Sequence, residues 1–216
     1  MTDTTTSSAT ESTRRRRRPD GELSRARIID AAAEIAAERG YEGTSVAAVS
    51  AKCGLPASSI YWHFKDKDDL IAAVIERSFG SWVSAWRLPA EGRQQERMID
   101  MAGQTLTALL ESPDFLRLGL MLALERRPVE PRARTMFLTV RDQAARVISA
   151  NMRELLPGLT DAQARQLSTF ALAGADGLFI AKEIGGDDVD LPAMFEIHGQ
   201  ALYGIAARML DENAGR

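Results

Sequence analysis

The sequence predicts an all-α fold of about nine helices. Apolar residues recur at steps of three and four through most of its 216 residues, which gathers them on one face of a helix. No stretch alternates apolar and polar residues for long enough to form a strand. Prolines and glycines fall between the periodic stretches, at residues 89–92, 113, 131, 157 and 158, where one helix must end before the next can begin.

In chain order, residues 1–20 are dominated by Thr, Ser and Arg and cannot bury enough apolar surface to offset the entropy of ordering, so a disordered arm is expected. Its block Arg14, Arg15, Arg16, Arg17 and Arg18 repels itself unless an anion is near, and makes the arm a candidate phosphate binder. Ser24 is placed to cap a first helix in which Ile28, Ile29, Ala32, Ile35 and Ala36 share a face, with Gly40 as its stop. Thr44 has the hydroxyl a second helix needs at its cap, and Val46, Ala47, Ala48, Val49 and Ala51 are small enough for close packing. Gly54 permits a tight turn, and Pro56 presets its own φ near the start of the next helix. Ala57 to His63 then supply about two turns, short for a core helix but long enough to lie in a DNA major groove. Two short helices across a tight turn, followed by a basic and aromatic cluster, are the layout of a helix-turn-helix.

Within that cluster Ile60 and Phe64 read as core. Tyr61 and Trp62 are adjacent and cannot both point inward, so at least one faces solvent or DNA. Asp66 is placed to cap a fourth helix carrying Ile71, Ile75, Phe79, Trp82 and Trp86, running to about Trp86 and joining two domains. Amphipathic stretches follow at residues 93–111, 113–126, 131–156 and 160–184, and a last one runs from 191 to about 213.

Composition narrows the function. The formal net charge is −3, but residues 1–80 carry 12 Lys or Arg against 12 Asp or Glu, whereas residues 81–216 carry 15 against 18, so the excess acid lies in the second part. The apolar run from Phe170 to Ala181 is broken by Asp176, and nothing reaches the ~18 residues of a membrane span. The opening MTDTTTSSATEST has no apolar stretch behind it, so a cytoplasmic location is expected. Cys53 is the single cysteine and sits where the bend wants a small packed residue; a redox sensor is the other reading. His63 and His198 are far apart with no Cys or His beside them, so neither a metal nor any other cofactor is expected. No Gly-x-Ser-x-Gly, phosphate loop or Gly-rich dinucleotide turn occurs, which argues against an enzyme.

The wording IYWHFKDKDDL at Ile60 to Leu70, behind the Gly54 turn, resembles the DNA-binding domain of the TetR/AcrR family of transcriptional regulators. The resemblance runs from about Ser24 to Phe79, roughly a quarter of the chain. It implies that residues 21–68 form the helix-turn-helix domain and residues 69–216 a ligand-binding and dimerisation domain. Docking as in that family would put Ala57, Ser58, Ser59 and Trp62 against base edges. Tyr61, His63 and Lys67 would then lie at phosphates, with Thr44 and Ser45 at another. Ala47 departs from the longer polar residue common in the family, leaving more of the recognition to phosphates and DNA shape.

The resemblance further implies a homodimer on a palindromic operator of double-stranded DNA, joined by a four-helix bundle from the last two helices. Ala171, Gly174, Ala175 and Gly177 would give that bundle its small surface, and Phe195, Leu202, Tyr203 and Met209 its anchors; packing inside one subunit is the other use of such glycines. It implies as well a small-molecule inducer whose pocket draws on Trp82, Trp86, Met101, Phe115, Met121, Glu125, Phe137, Asp176 and Phe179, although core filling is the commoner role for any one such residue. The expected function is a ligand-responsive repressor. The alternative is a constitutive or architectural DNA-binding protein without ligand control, which the Arg block favours.

Overall fold

The computed structural model describes residues 8–85, 87–111, 113–125 and 131–215, and every regular element among them is helical. Helices α1 to α9 cover Ser8–Gly43, Val46–Cys53, Ala57–His63, Lys67–Ala85, Gln94–Glu111, Pro113–Leu124, Arg132–Leu155, Asp161–Gly185 and Leu191–Ala214. A 3-10 turn at Gly186–Asp188 precedes the last. The nine described α-helices begin and end close to the predicted punctuation, except at α1. No helix of the described residues is long and apolar enough to cross a membrane.

The first helix starts at Ser8, not at Ser24, so the arm expected to be disordered is helical backbone from Ser8 through Arg14 to Arg18. Arginine is a strong helix former, and the helix runs on through Pro19. Ser24 is not a cap, because its hydroxyl donates to the Asp20 carbonyl at 2.8 Å, a bond made inside a helix. Gly40 does interrupt the helix: at φ 68° it kinks the chain three residues before α1 ends.

Two cores form. In the smaller, Ile28, Ile29 and Ile35 of α1 meet Val49 and Cys53 of α2, Ile60 and Phe64 around α3, and Leu70 and Val74 of α4. Each large side chain buried there contributes about 1.5–3 kcal/mol. The larger core gathers α5 to α9 and includes a run of rings, Phe79, Trp82, Phe115 and Phe137, with neighbouring centroids 5.9 to 6.4 Å apart. Helix α4 belongs to both. Leu70, Ala73 and Val74 face the small core, while Ile71, Ile75, Phe79 and Trp82, offset by one residue, face the large one. Helix α9 lies against α5 at Gly199, where an added Cβ would come within 2.9 Å of the Ile99 Cα.

Candidate nucleic-acid interface and ligand cavity

Ser45 caps the first of the two short helices, its Oγ accepting from the Ala48 N–H at 3.2 Å. The cap expected at Thr44 is thus displaced by one residue. Thr44 is 1% exposed and its hydroxyl donates to the Gly40 carbonyl, so it seals the kink of α1, and of the two hydroxyls expected at a phosphate only that of Ser45 faces solvent. Gly54 ends α2 in the left-handed region, φ 67° and ψ 21°, with its N–H donating to Ser50. The turn is fixed from both sides: Ser50 Oγ donates to the Leu55 carbonyl and Arg27 of α1 donates to the Cys53 carbonyl, each at 2.7 Å. Cys53 is buried in that bend.

With its frame fixed, α3 points Ile60 and the following Phe64 into the core, at 1% and 3% exposure, and both Tyr61 and Trp62 outward, at 58% and 75%. Ser58 is exposed beside them, and Ala57, Ser59 and His63 are half-buried. Trp62 meets the His63 ring edge-on at 4.5 Å. Asp20, Gly21 and Ser24 of α1 form the opposite bank of a shallow groove with Ser58, Ser59, Trp62 and His63. Burial, reinforced by the Arg25 cation, holds the His63 imidazole below its usual range, so at pH 7 it is a neutral donor. Two adjacent large aromatic side chains in water on a seven-residue helix forgo the burial that would stabilise them, which makes the face a candidate binding surface.

Lys67 lies at the start of α4, but its ammonium sits 4.2 Å over the Tyr41 ring and donates to the Tyr41 carbonyl at 3.2 Å and to Glu42 at 3.4 Å. It would have to leave these partners to reach a phosphate. Lys65 is exposed and has no ion-pair partner among the described residues, so it is the readier cation; the Lys-x-Lys spacing is the signal for it, and the expected site includes only the second lysine. Asp66 caps α4 as predicted, accepting from the Asp69 N–H at 2.9 Å. The side chains of Arg14 to Arg18 lie outside the described residues.

Of the residues expected at a ligand pocket, Trp82, Phe115 and Phe137 meet as packed rings and the others are scattered, so they are not gathered around one cavity. Trp82, Phe115, Phe137 and Phe179 are packed in the large core, Met121 and Glu125 are exposed at the end of α6, and Trp86 lies outside the described residues. Asp176 forms an ion pair with Arg141 of α7, while its Oδ1 has no hydrogen-bond partner among the described residues. Burial pushes the Asp176 carboxyl above its usual range against the pull of Arg141.

A cavity opens elsewhere, between α5, α7, α8 and α9, and of the expected set only Met101 reaches it. Met98, Met152, Leu172, Phe195 and Leu202 give it an apolar wall, and Arg87, Gln104, Asn151 and His198 add polar groups. It holds about 560 Å³ of space not filled by atoms, counting solvent at its mouth, and is narrow. The signal that would have found it is polar residues on the inward faces of amphipathic helices.

One carboxylate joins the two regions. Asp68, in the first turn of α4, accepts from the Arg132 and Ala133 N–H groups at 2.5 and 3.1 Å and so caps α7 from another helix; the Tyr41 hydroxyl at the end of α1 donates to it at 3.0 Å. Asp69 pairs with the Arg132 guanidinium at 2.9 Å. The far half of the same α7 supplies Ile148, Asn151 and Met152 to the cavity.

Residues 28–74 match the family profile described as bacterial regulatory proteins, tetR family. A curated relative, the HTH-type transcriptional regulator AcrR of Shigella flexneri, is 33% identical over 64 residues, 30% of each chain. Among solved structures, a transcriptional regulator from Rhodococcus superposes with a TM-score of 0.69 at 20% identity, over 85% of this chain and 96% of that one. The regulator FadR from Bacillus subtilis, solved in complex with stearoyl-CoA, gives 0.67 at 19% identity, over 82% and 96%. The matched part spans less than a third of the first curated relatives, whereas the fold extends over nearly the whole of these solved chains.

Proposed function

We propose that this chain, whose residues 28–74 match the tetR family of bacterial regulatory proteins, is a homodimeric transcriptional regulator, a repressor released from a palindromic operator when a small molecule enters the cavity. The observation that carries the reading is the outward pair Tyr61 and Trp62 on a rigidly framed α3. Such a helix enters the major groove, where Trp62, Ala57, Ser58 and Ser59 read bases. Tyr61, His63, Ser45 and a cation of the Lys65–Lys67 pair hold phosphates.

The second copy that a palindrome requires comes through α8 and α9, with Gly177 kept from the expected surface and several of the other expected residues replaced. Phe195 and Leu202 are buried inside the subunit, and Gly174 is filled by the His198 ring. The outward faces instead carry Phe170, Ile180 and Ile184 on α8 and Ile197 on α9, from 41% to 83% exposed, with Gly177 and Gly204 opening onto unfilled space. On α8 residues 170, 177 and 184 repeat every seven positions, as a helix-packing seam does.

Gel-shift titration on genomic fragments retained by the protein tests the reading. Tyr61→Phe and Lys65→Ala together with Lys67→Ala should weaken binding to all sequences alike, whereas Trp62→Ala and Ser59→Ala should change which sequences bind. Deleting residues 1–19 should flatten the slope of log affinity against log salt by ~0.9 for each phosphate that the arm neutralises in the intact protein. Wild-type affinity in both the Tyr61 and the double lysine variants would contradict the docking, and an Ile184→Glu protein that remains dimeric would contradict the interface.

A further inference from the structure

We propose that the cavity selects a molecule with a carboxylate head and a slender apolar tail, and rejects cations of the same shape. This rests on the ligand-controlled reading given above and names the chemistry of its ligand. Among the described lining residues Arg87 is the one permanent charge, and no acidic side chain is present to hold a positive head group. Arg87 is exposed, so it stands at the mouth of the cavity, where a carboxylate head would meet its charge and a cation would meet no counter-charge.

The hydrogen-bonding groups agree. The Arg87 backbone N–H donates to Gln104 Oε1 at 2.8 Å, which brings the two residues together and leaves the Gln104 amide N–H groups and the Arg87 guanidinium as donors. Neither has an acceptor among the described residues. The carbonyl of Ala171 lies 3.1 Å from His198 Nε2, so that nitrogen carries the proton of a neutral ring, and burial keeps the ring neutral at pH 7. His198 therefore adds no second charge, and a single negative head is matched by a single positive group.

The tail follows from the walls. Lining residues on α5 run from Met98 to Thr105, and those on α9 from Phe195 to Leu202, each a helical rise of about 10 Å. Met98 and Met101 lie on that stretch of α5 and Met152 lines the cavity from α7, and their flexible side chains can shift to admit a chain into a narrow space.

Octanoate, 1-octanol and octyltrimethylammonium, which share a tail and differ in the head, separate the possibilities. Calorimetric titration of the full-length protein should give the order octanoate, octanol, then the ammonium, with octanoate at least about ten-fold tighter than the ammonium, as one charge-assisted hydrogen bond implies. Arg87→Gln should weaken octanoate about ten-fold and leave octanol unchanged, and Met101→Trp, which fills the cavity, should weaken both. Equal or tighter binding of the ammonium overturns the proposal, as does the absence of binding by all three. Operator affinity measured with and without octanoate keeps the two readings apart: binding without release refutes ligand control and leaves the head-group preference standing, while release by the ammonium does the reverse.

Discussion

The reading domain and the cavity domain are built from similar side chains, but they differ in which ones are left out of the core. Around α3 two aromatic rings face water, while in the larger domain the rings of Phe79, Trp82, Phe115 and Phe137 are packed and it is polar residues, Gln104, Asn151 and His198, that face inward. A pair of adjacent aromatic residues in water forgoes burial and makes an exposed apolar patch, which is the kind of surface a partner covers. A polar residue facing a cavity costs little while water or a ligand satisfies it, and its helix still looks like an ordinary amphipathic one. One region therefore announces its function through residues that violate a rule, and the other conceals it in residues that obey one.

The largest effect expected from that difference is a split between Phe64 and Trp62, two aromatics separated by a single residue. Phe64→Ala should lower stability by ~3–5 kcal/mol, because a 3% exposed ring leaves a cavity in a small core. Trp62→Ala should change stability by no more than ~0.5 kcal/mol and still remove most sequence-specific DNA binding. Urea denaturation and fluorescence anisotropy on labelled operator measure the two quantities. A Trp62 variant that unfolds as readily as the Phe64 variant would place that ring in the core and end the comparison.

The next effect concerns the joint. Asp68 satisfies two amide groups of α7 and one hydroxyl of α1 at once, so Asp68→Ala leaves three donors without their acceptor and should cost about 1–3 kcal/mol. The informative result is a different one. A ligand acts only through its differential affinity for two conformations, and α7 is the helix that touches both the cavity and the start of α4. Cavity ligands should bind Asp68→Ala nearly as tightly as wild type but reduce its operator affinity several-fold less. Unchanged coupling in that variant would move the route to another helix, with α4 and its Trp82 as the first candidate.

Legibility in the sequence follows the range of the interactions. Gly54 as a left-handed stop, Asp66 as a cap, and the inward Ile60 and Phe64 all depend on neighbours within about one helical turn, and such local rules are written in the sequence. Ser45 replaces Thr44 as the cap because Thr44 is used by the Gly40 kink, a conflict that spacing alone does not show. The cap that Asp68 places on α7 joins residues 64 and 65 positions apart, and nothing local distinguishes Asp68 from Asp66 or Asp69. Side-chain size and flexibility point to a cavity among the aromatic rings, whereas the mark of the one that forms is polar residues on inward helix faces. The start of α1 escapes the sequence reading because Pro19 has the character of a boundary in a segment otherwise favourable to helix.

The smallest expected effect sets the two histidines against each other. Burial lowers both imidazoles, His63 with help from Arg25 and His198 against the bond to Ala171. In each case the unfolded chain takes up a proton at higher pH than the folded one, so stability is full above the ordinary imidazole range near 6.5 and falls as the pH drops below it. Their effects on DNA binding should differ. In the proposed docking a phosphate lies beside His63 and would favour the charged ring, so operator affinity should rise by roughly two- to five-fold between pH 7.5 and 5.5, as a neutral donor becomes a charge-assisted one. His198 lies in the cavity wall on α9 and should contribute to the loss of stability alone. His63→Gln should flatten the pH dependence of affinity, and His198→Gln should flatten only that of stability, both read from titrations at fixed salt. If His198→Gln alters the affinity profile as much as His63→Gln does, the cavity wall reports to the reader even without a ligand, and the two regions are less separate than their cores suggest.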